Sequence, residues 1–196
     1  MYKELLKKVI KTEMNAIEKL LEQTQCQYDQ AVDLMKNCKG KLIFMGIGKS
    51  GHIGKKLAAT FASTGTPSVF VHSAEAFHGD FGMIEKNDVA ILISNSGITK
   101  EVTDGLSFLK RIGCQKIAFT SGGDSLLAKG CDALILIPKL AEADHLNLAP
   151  TVSSTLTLVL GDAIACTLSE LKEFKREDFY KFHPGGALGD MLSKDN

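Results

Sequence analysis

The feature that most constrains this chain is a set of short apolar runs at Leu42–Met45, Ser68–Val71, Val89–Ser94, Lys116–Thr120 and Ala133–Ile137. Within each run the apolar residues do not alternate with polar ones. A strand with one wet face alternates, so these runs read as strands covered on both faces, the mark of a parallel sheet. Parallel neighbours need crossover connections, and the segments between the runs supply them. His52–Ala62 and Glu101–Arg111 carry helical periodicity, Ser125–Lys129 is a short helical stretch, and a long apolar helix runs from about Ser153 to Leu171. The expectation is an α/β fold: a three-layer α/β/α sandwich around a five-stranded parallel sheet.

Residues 3–37 precede the sheet and read as helix. Leu5, Leu6, Val9, Ile10, Ile17, Leu20 and Leu21 recur at steps of three and four. The polar stretch Gln23–Gln27 marks a break, the stripe restarts at Tyr28, and Gly40 is the expected stop. This N-terminal segment, 1–39, is expected to pack on the domain or on a partner subunit. No repeat, low-complexity tract or linker divides the sequence, so 1–196 reads as one unit, a size that can bury a core without staples.

Composition narrows the function classes. Lys and Arg total 23 and Asp and Glu total 23, which gives no basic excess for nucleic acid or an anionic membrane. Trp is absent and aromatics are 7%, so single-strand stacking has little support. Five scattered cysteines, including Cys26, form neither a disulfide framework nor a metal cluster and fit a reducing cytoplasm. The first residues lack a signal-peptide layout, and no stretch is expected to reach the ~20 apolar residues of a bilayer span.

In a sheet of this kind ligands sit beyond the carboxyl ends of the strands. The first strand ends in Gly46-Ile47-Gly48-Lys49-Ser50-Gly51. The glycine spacing matches the dinucleotide fingerprint, but no acidic residue closes the next strand to hold a ribose, and Ile43 breaks a P-loop match. What remains is either an anion site, in which Gly48, Ser50, Gly51 and Lys49 approach a ligand, or a tight turn with a solvated lysine. The third strand ends in Ser94-Asn95-Ser96-Gly97-Ile98-Thr99, followed by Lys100-Glu101. Three hydroxyls before a helix suit a phosphate monoester; a helix cap accounts for only one of them.

Further candidates follow. His78 lies in Glu75-Ala76-Phe77-His78-Gly79-Asp80 and can act as acid or base near neutral pH, or be structural. Glu142, after the fifth strand, reads as a base, a solvated acid or a cap. His183, in His183-Pro184-Gly185-Gly186, reads as a positioned group or a chain turn.

Taken in order, Gly46–Gly51, Thr64-Gly65-Thr66-Pro67, Glu75–Gly82, Ser94-Asn95-Ser96-Gly97 with Glu101, Leu148-Ala149-Pro150-Thr151, Gly161-Asp162-Ala163 and His183-Pro184-Gly185-Gly186 resemble a sugar isomerase (SIS) domain of the D-arabinose 5-phosphate isomerase type. The resemblance implies a metal-independent aldose–ketose isomerase that needs no cofactor, acts on a small phosphosugar and assembles as a homotetramer with sites at subunit contacts. It implies that the Ser94–Thr99 loop holds the phosphate, and that Lys49, His78, Glu101, Glu142 and His183 form the catalytic set. In related aminosugar-phosphate isomerases the histidine of a similar Glu-x-x-His-Gly segment helps open the sugar ring. Proton transfer between C1 and C2 needs a carboxylate, Glu142 or Glu101, and the enediol oxygen needs a cation or donor, Lys49 or His183.

Members of this type usually continue into a pair of CBS domains, so the expectation is an isomerase domain without that pair. The sequence also departs from the family at Asp144, His145 and Asn147, where cysteine, proline and glycine are typical; the change either selects another sugar or is neutral. Rival readings are an isomerase of another phosphosugar, such as 6-phospho-3-hexulose, and a sugar-phosphate sensor without turnover.

Overall fold

The computed structural model describes residues 2–23, 27–186 and 190–191. Residues 24–26, within the expected helix break and including Cys26, lie outside the described residues. Five parallel strands, β1 (Leu42–Gly46), β2 (Ser68–His72), β3 (Val89–Ile93), β4 (Gln115–Thr120) and β5 (Ala133–Leu136), form one sheet in the order β2-β1-β3-β4-β5. All four pairings are parallel, with Phe44 opposite both Phe70 and Ile91, and Ile117 opposite Ala133. The expected fold and its long N-terminal helix are both observed.

Why the apolar runs do not alternate is visible in the packing. On one face Leu42, Phe44, Ile91, Ile117 and Phe119 pack with α1 (Tyr2–Glu22), α2 (Gln27–Lys36), α3 (Gly48–Ser63) and α7 (Val152–Leu171). On the other face Ile43, Met45, Ala90, Leu92 and Ala118 pack beneath α4 (Lys100–Thr103), α5 (Gly105–Ile112), α6 (Leu126–Gly130) and the 3-10 turns at Glu75–His78 and Asp80–Met83. Residues i and i+1 point to opposite layers, so both must be apolar. Each buried Phe, Leu or Ile is worth roughly 1.5–3 kcal/mol of transfer free energy.

Two expectations are corrected. Gly40 does not stop a helix, because α2 ends at Lys36. Instead Gly40 lies against Asn87 and the Asp88 carboxylate, where a Cβ would collide with both. The long apolar helix also qualifies, by length and composition, as a bilayer span. Here, however, α7 buries Leu156, Ile164, Ala165 and Leu168 in the core, Gly161 admits the Leu57 side chain, and Asp162 pairs with Lys56 of α3. The expected Glu101–Arg111 helix is present but interrupted at Asp104, between α4 and α5.

At its amino end the sheet is pinned by carboxylates. Asp88, 2% exposed, accepts from Lys41 N (2.8 Å), Glu85 N (2.8 Å) and Lys41 Nζ (2.9 Å). Burial alone raises its pKa, but the lysine and the two amides outweigh burial and hold the carboxyl below its usual range. A depressed folded-state pKa stabilises the fold above the unfolded value, about 3.9, and that share is lost as pH falls through the folded value. Asp88→Asn is therefore expected to cost about 1–3 kcal/mol at neutral pH. It should also flatten the loss of stability below about pH 4, measured by urea melts across pH.

Candidate active site

The strand order places β1 and β3 side by side while their connections leave in opposite directions, β1 to β2 and β3 to β4. Their carboxyl ends define the switch point where such sheets bind ligands. The two loops singled out in the sequence stand there. After β1, Gly48 takes a left-handed conformation (φ 54°) with nothing within 4 Å of a would-be Cβ, which leaves its backbone open. Lys49 is exposed beside it at the first turn of α3, Ser50 is half-buried, and Gly51 is buried.

After β3 the loop is locked from within. Ser94 is 2% exposed; its Oγ pairs with Thr99 Oγ1 (2.8 Å) and accepts from Gly97 N (3.1 Å). Ser94 and Thr99 therefore hold the loop's shape. Ser96 Oγ accepts from Ile98 N (3.4 Å) at the exposed tip, and its own proton remains available to donate.

A second loop, Thr120–Ser125 after β4, braces the first. Asn95 O accepts from Ser121 N (3.0 Å), Ser121 Oγ (2.8 Å) and Thr120 Oγ1 (3.1 Å). Gly97 is left-handed (φ 67°) and abuts the Ser125 side chain, and a Cβ on Gly122 would lie 2.6 Å from Ser96 O. This partner loop was not singled out in the sequence, although Ser121-Gly122-Gly123-Asp124-Ser125 follows a strand end as the first loop does.

A cavity of about 460 Å³ opens over the carboxyl ends of β3 to β5. It joins Asn95 and Ser96 to Ser121, Gly122, Lys139, Glu142, Asn147 and Ser153. Glu142 is thus brought to the hydroxyl loop, whereas Lys49, His78, Glu101 and His183 do not line this cavity. Lys139 is a cation that sequence reasoning passed over; its position just after the fifth apolar run was the available signal.

The surroundings of Glu142 match the cap among its sequence readings. Its Oε2 accepts from Thr151 N (2.8 Å), Thr151 Oγ1 (3.2 Å) and Ser153 N (3.1 Å), so the side chain caps the start of α7. Oε1 has only Ser153 Oγ as its hydrogen-bond partner among the described residues. Both oxygens are thus held at the start of α7, Oε2 by three donors and Oε1 by one.

Its loop is tied down as well. Ala143 N donates to Thr151 Oγ1 (2.8 Å), and the Asp144 carboxylate accepts from the amides of Leu146 (3.1 Å), Leu148 (2.9 Å) and Ala149 (2.9 Å). Desolvation pushes the Asp144 pKa up, and these amides, with His145, more than reverse it, leaving the carboxyl below its usual range.

The remaining candidates stand apart. His78 is exposed at the end of the Glu75–His78 turn after β2, and Glu101 is exposed on α4. His183 follows α8 (Arg176–Phe182), stacks on the Phe179 ring at 4.0 Å and bonds the Phe179 carbonyl through Nδ1 (3.0 Å). A carbonyl only accepts, so Nδ1 is the donor in this bond and Nε2 is left to face outward contacts.

A family model of the SIS domain matches residues 34–166, about two thirds of the chain. The chain belongs to this family. It is 50% identical over 166 residues to the arabinose 5-phosphate isomerase KpsF of Escherichia coli, covering 85% of this chain and 52% of that protein. It is 49% identical over 185 residues to the arabinose 5-phosphate isomerase KdsD of Pseudomonas aeruginosa, covering 94% and 57%. The chain thus spans about half the length of these curated relatives. The solved structure of E. coli CFT073 c3406 in complex with arabinose 5-phosphate superposes with a TM-score of 0.91 at 50% identity, covering 92% of this SIS chain and 96% of that one.

Interlocked loops make a clear prediction. Gly97→Ala meets both a left-handed backbone and Ser125, and is expected to cost about 1–3 kcal/mol. Gly123→Ala, whose Cβ finds only ordinary contact with Leu136 at 3.5 Å, should be near neutral in the same melts.

Proposed function

We propose that this SIS domain interconverts an aldose phosphate and its ketose, with arabinose 5-phosphate and ribulose 5-phosphate as the substrate pair. The observation that carries this reading is a cavity in which a hydroxyl loop and an oriented carboxylate face the same space. The 50% identity to a protein solved in complex with arabinose 5-phosphate supports the choice of sugar.

In this reading the phosphate sits on the Ser96 hydroxyl and the amides of the Asn95–Ile98 turn, with Lys139 supplying charge. Ser94 and Thr99 shape that turn. Gly48, Ser50, Gly51 and Lys49 bound the other side of the switch point. His78 opens the sugar ring by moving the proton between the ring oxygen and the anomeric hydroxyl. Glu142 Oε1 then takes the C2 proton of the open-chain aldehyde. Electrons shift to the carbonyl oxygen O1, giving a cis-enediolate; a proton passes from O2 to O1 while the same carboxyl returns its proton to C1, which leaves the ketose with its carbonyl at C2. Of the two glutamates Glu142 is the base, because it alone lines the cavity with the hydroxyl loop. Lys49 and a ring N–H of His183 stabilise charge on the enediol oxygens, and Glu101 stays in the catalytic set as the other carboxylate. Side chains supply every proton in this scheme, so it asks for no metal or cofactor.

His78, Glu101 and His183 lie outside the cavity of a single chain. The exposed apolar stripe of α1, with Tyr2, Leu5, Leu6, Ile10, Met14 and Leu21, supports self-association, and the tetramer is the proposed assembly. One domain spanning the chain and a cytoplasmic setting complete the reading.

Glu142→Gln is expected to lower kcat by at least about 10²-fold while sugar-phosphate binding persists. Ser96→Ala should instead raise KM several-fold with less effect on kcat. A panel of aldose and ketose phosphates, followed by C2 proton exchange in deuterated water, tests the reaction itself. Exchange with no substrate on the panel, despite tight binding, would turn the reading into that of a sensor.

A further inference from the structure

Among the side chains that line the cavity, Asn147 is tied at one end and free at the other. It lies between β5 and α7 with φ 55°, a left-handed conformation that asparagine tolerates better than most residues. Its Oδ1 accepts from Glu142 N at 2.7 Å. An N–H requires an acceptor, so this bond fixes which end of the amide is oxygen. The two Nδ2 protons have no hydrogen-bond partner among the described residues. Asn147 shares the cavity with Glu142, Ser96 and Lys139, and its neighbours in sequence are clamped by Asp144 through Leu146 N and Leu148 N.

We infer that Asn147 is a specificity-determining residue: Nδ2 donates to a hydroxyl of the bound sugar chain, while Oδ1 holds the backbone of Glu142 in place. The inference rests on the isomerase reading of this cavity and adds a contact that selects the sugar. A donor belongs here because a sugar hydroxyl offers lone pairs, and the carboxylate next to it offers only acceptors. Its bond to Glu142 assigns it to the reacting end of the substrate, with the Ser96 turn at the phosphate end. The clamped loop presents the donor already oriented, which limits the entropy lost on binding.

The test compares Asn147→Gly with Asn147→Asp. Glycine keeps the left-handed backbone and removes both ends of the amide. Aspartate keeps an acceptor for Glu142 N and removes the donors. Calorimetry with arabinose 5-phosphate and with inorganic phosphate is paired with turnover on the same proteins, after a melt confirms folding. Affinity for the sugar phosphate is expected to fall about tenfold in both variants. Inorganic phosphate should bind the glycine variant within twofold of wild type, and kcat should drop further in the glycine than in the aspartate variant. Sugar-phosphate affinity within twofold of wild type in either variant would overturn the proposal, as would parallel losses for both ligands in the glycine variant. Equal kcat values would remove the positioning half. If glycine prevents folding, the aspartate affinities decide. A wild type that binds the sugar phosphate without turnover defeats the isomerase reading alone, because the affinities still test Asn147; one that binds neither ligand defeats both.

Discussion

Parallel pairing of five strands, each buried on both faces, governs the layout of this molecule. Crossovers must return the chain to the same starting edge, so every strand delivers its exit loop to the opposite edge. That gathers Gly46–Gly51, His72–Asp80, Ser94–Glu101, Thr120–Ser125 and the approach to Glu142 at one end of the sheet, though they are far apart in sequence. The starting edge is closed instead: Asp88 holds Lys41, and Asp132 accepts from Lys116 N (2.7 Å) and Lys116 Nζ (2.9 Å). These two carboxylates are satisfied within the protein. At the exit edge, Lys49, Lys139 and the amides of tight turns remain for a ligand. A neutral whole-chain charge is compatible with anion recognition because one small phosphate needs only a few local donors.

Glu142 caps α7, and that duty is compatible with its proposed role as a base. A base must sit within reach of a carbon-bound proton in a fixed direction, and long flexible side chains lose entropy when held that way. Here the start of α7 pre-orients the carboxylate: the amides of Thr151 and Ser153 and the hydroxyl of Thr151 occupy Oε2. Those donors need an acceptor in any case, since helix N-termini leave amides unpaired. A requirement of the fold thereby positions a group of the proposed chemistry.

Much of this was legible in the sequence. Runs such as Leu42–Met45 and Val89–Ser94 announced doubly covered strands because burial on both faces suppresses alternation. The Ser94–Thr99 loop stood out because its hydroxyls cluster at a strand end. Other features were not legible, for identifiable reasons. Gly40 reads as a helix stop, and only the fold shows Asp88 arriving from 48 residues away in sequence. The apolarity of α7 is shared by core helices and bilayer spans, and only its packing on Leu57 and the sheet separates the two. The bracing between the β3 and β4 loops depends on register across the sheet, which periodicity does not encode.

The loop from Glu142 to Thr151 is bonded to itself at both ends. Three of its residues, Asp144, His145 and Asn147, are those at which the resemblance drawn from the sequence implied a departure, one that either selects another sugar or is neutral. Two of them carry defined structural duties here. Asp144 gathers three backbone amides, and Asn147 adopts the left-handed conformation that a glycine would take without strain while bonding Glu142 N. A loop decaying after loss of function has no reason to keep its backbone bonds satisfied or a left-handed position filled by one of the residue types that tolerate it. Asp144 thus shapes the loop from within, and Asn147 alone of the three lines the cavity. That combination fits an ordered site, with the carboxylate of the proposed chemistry held in place by α7.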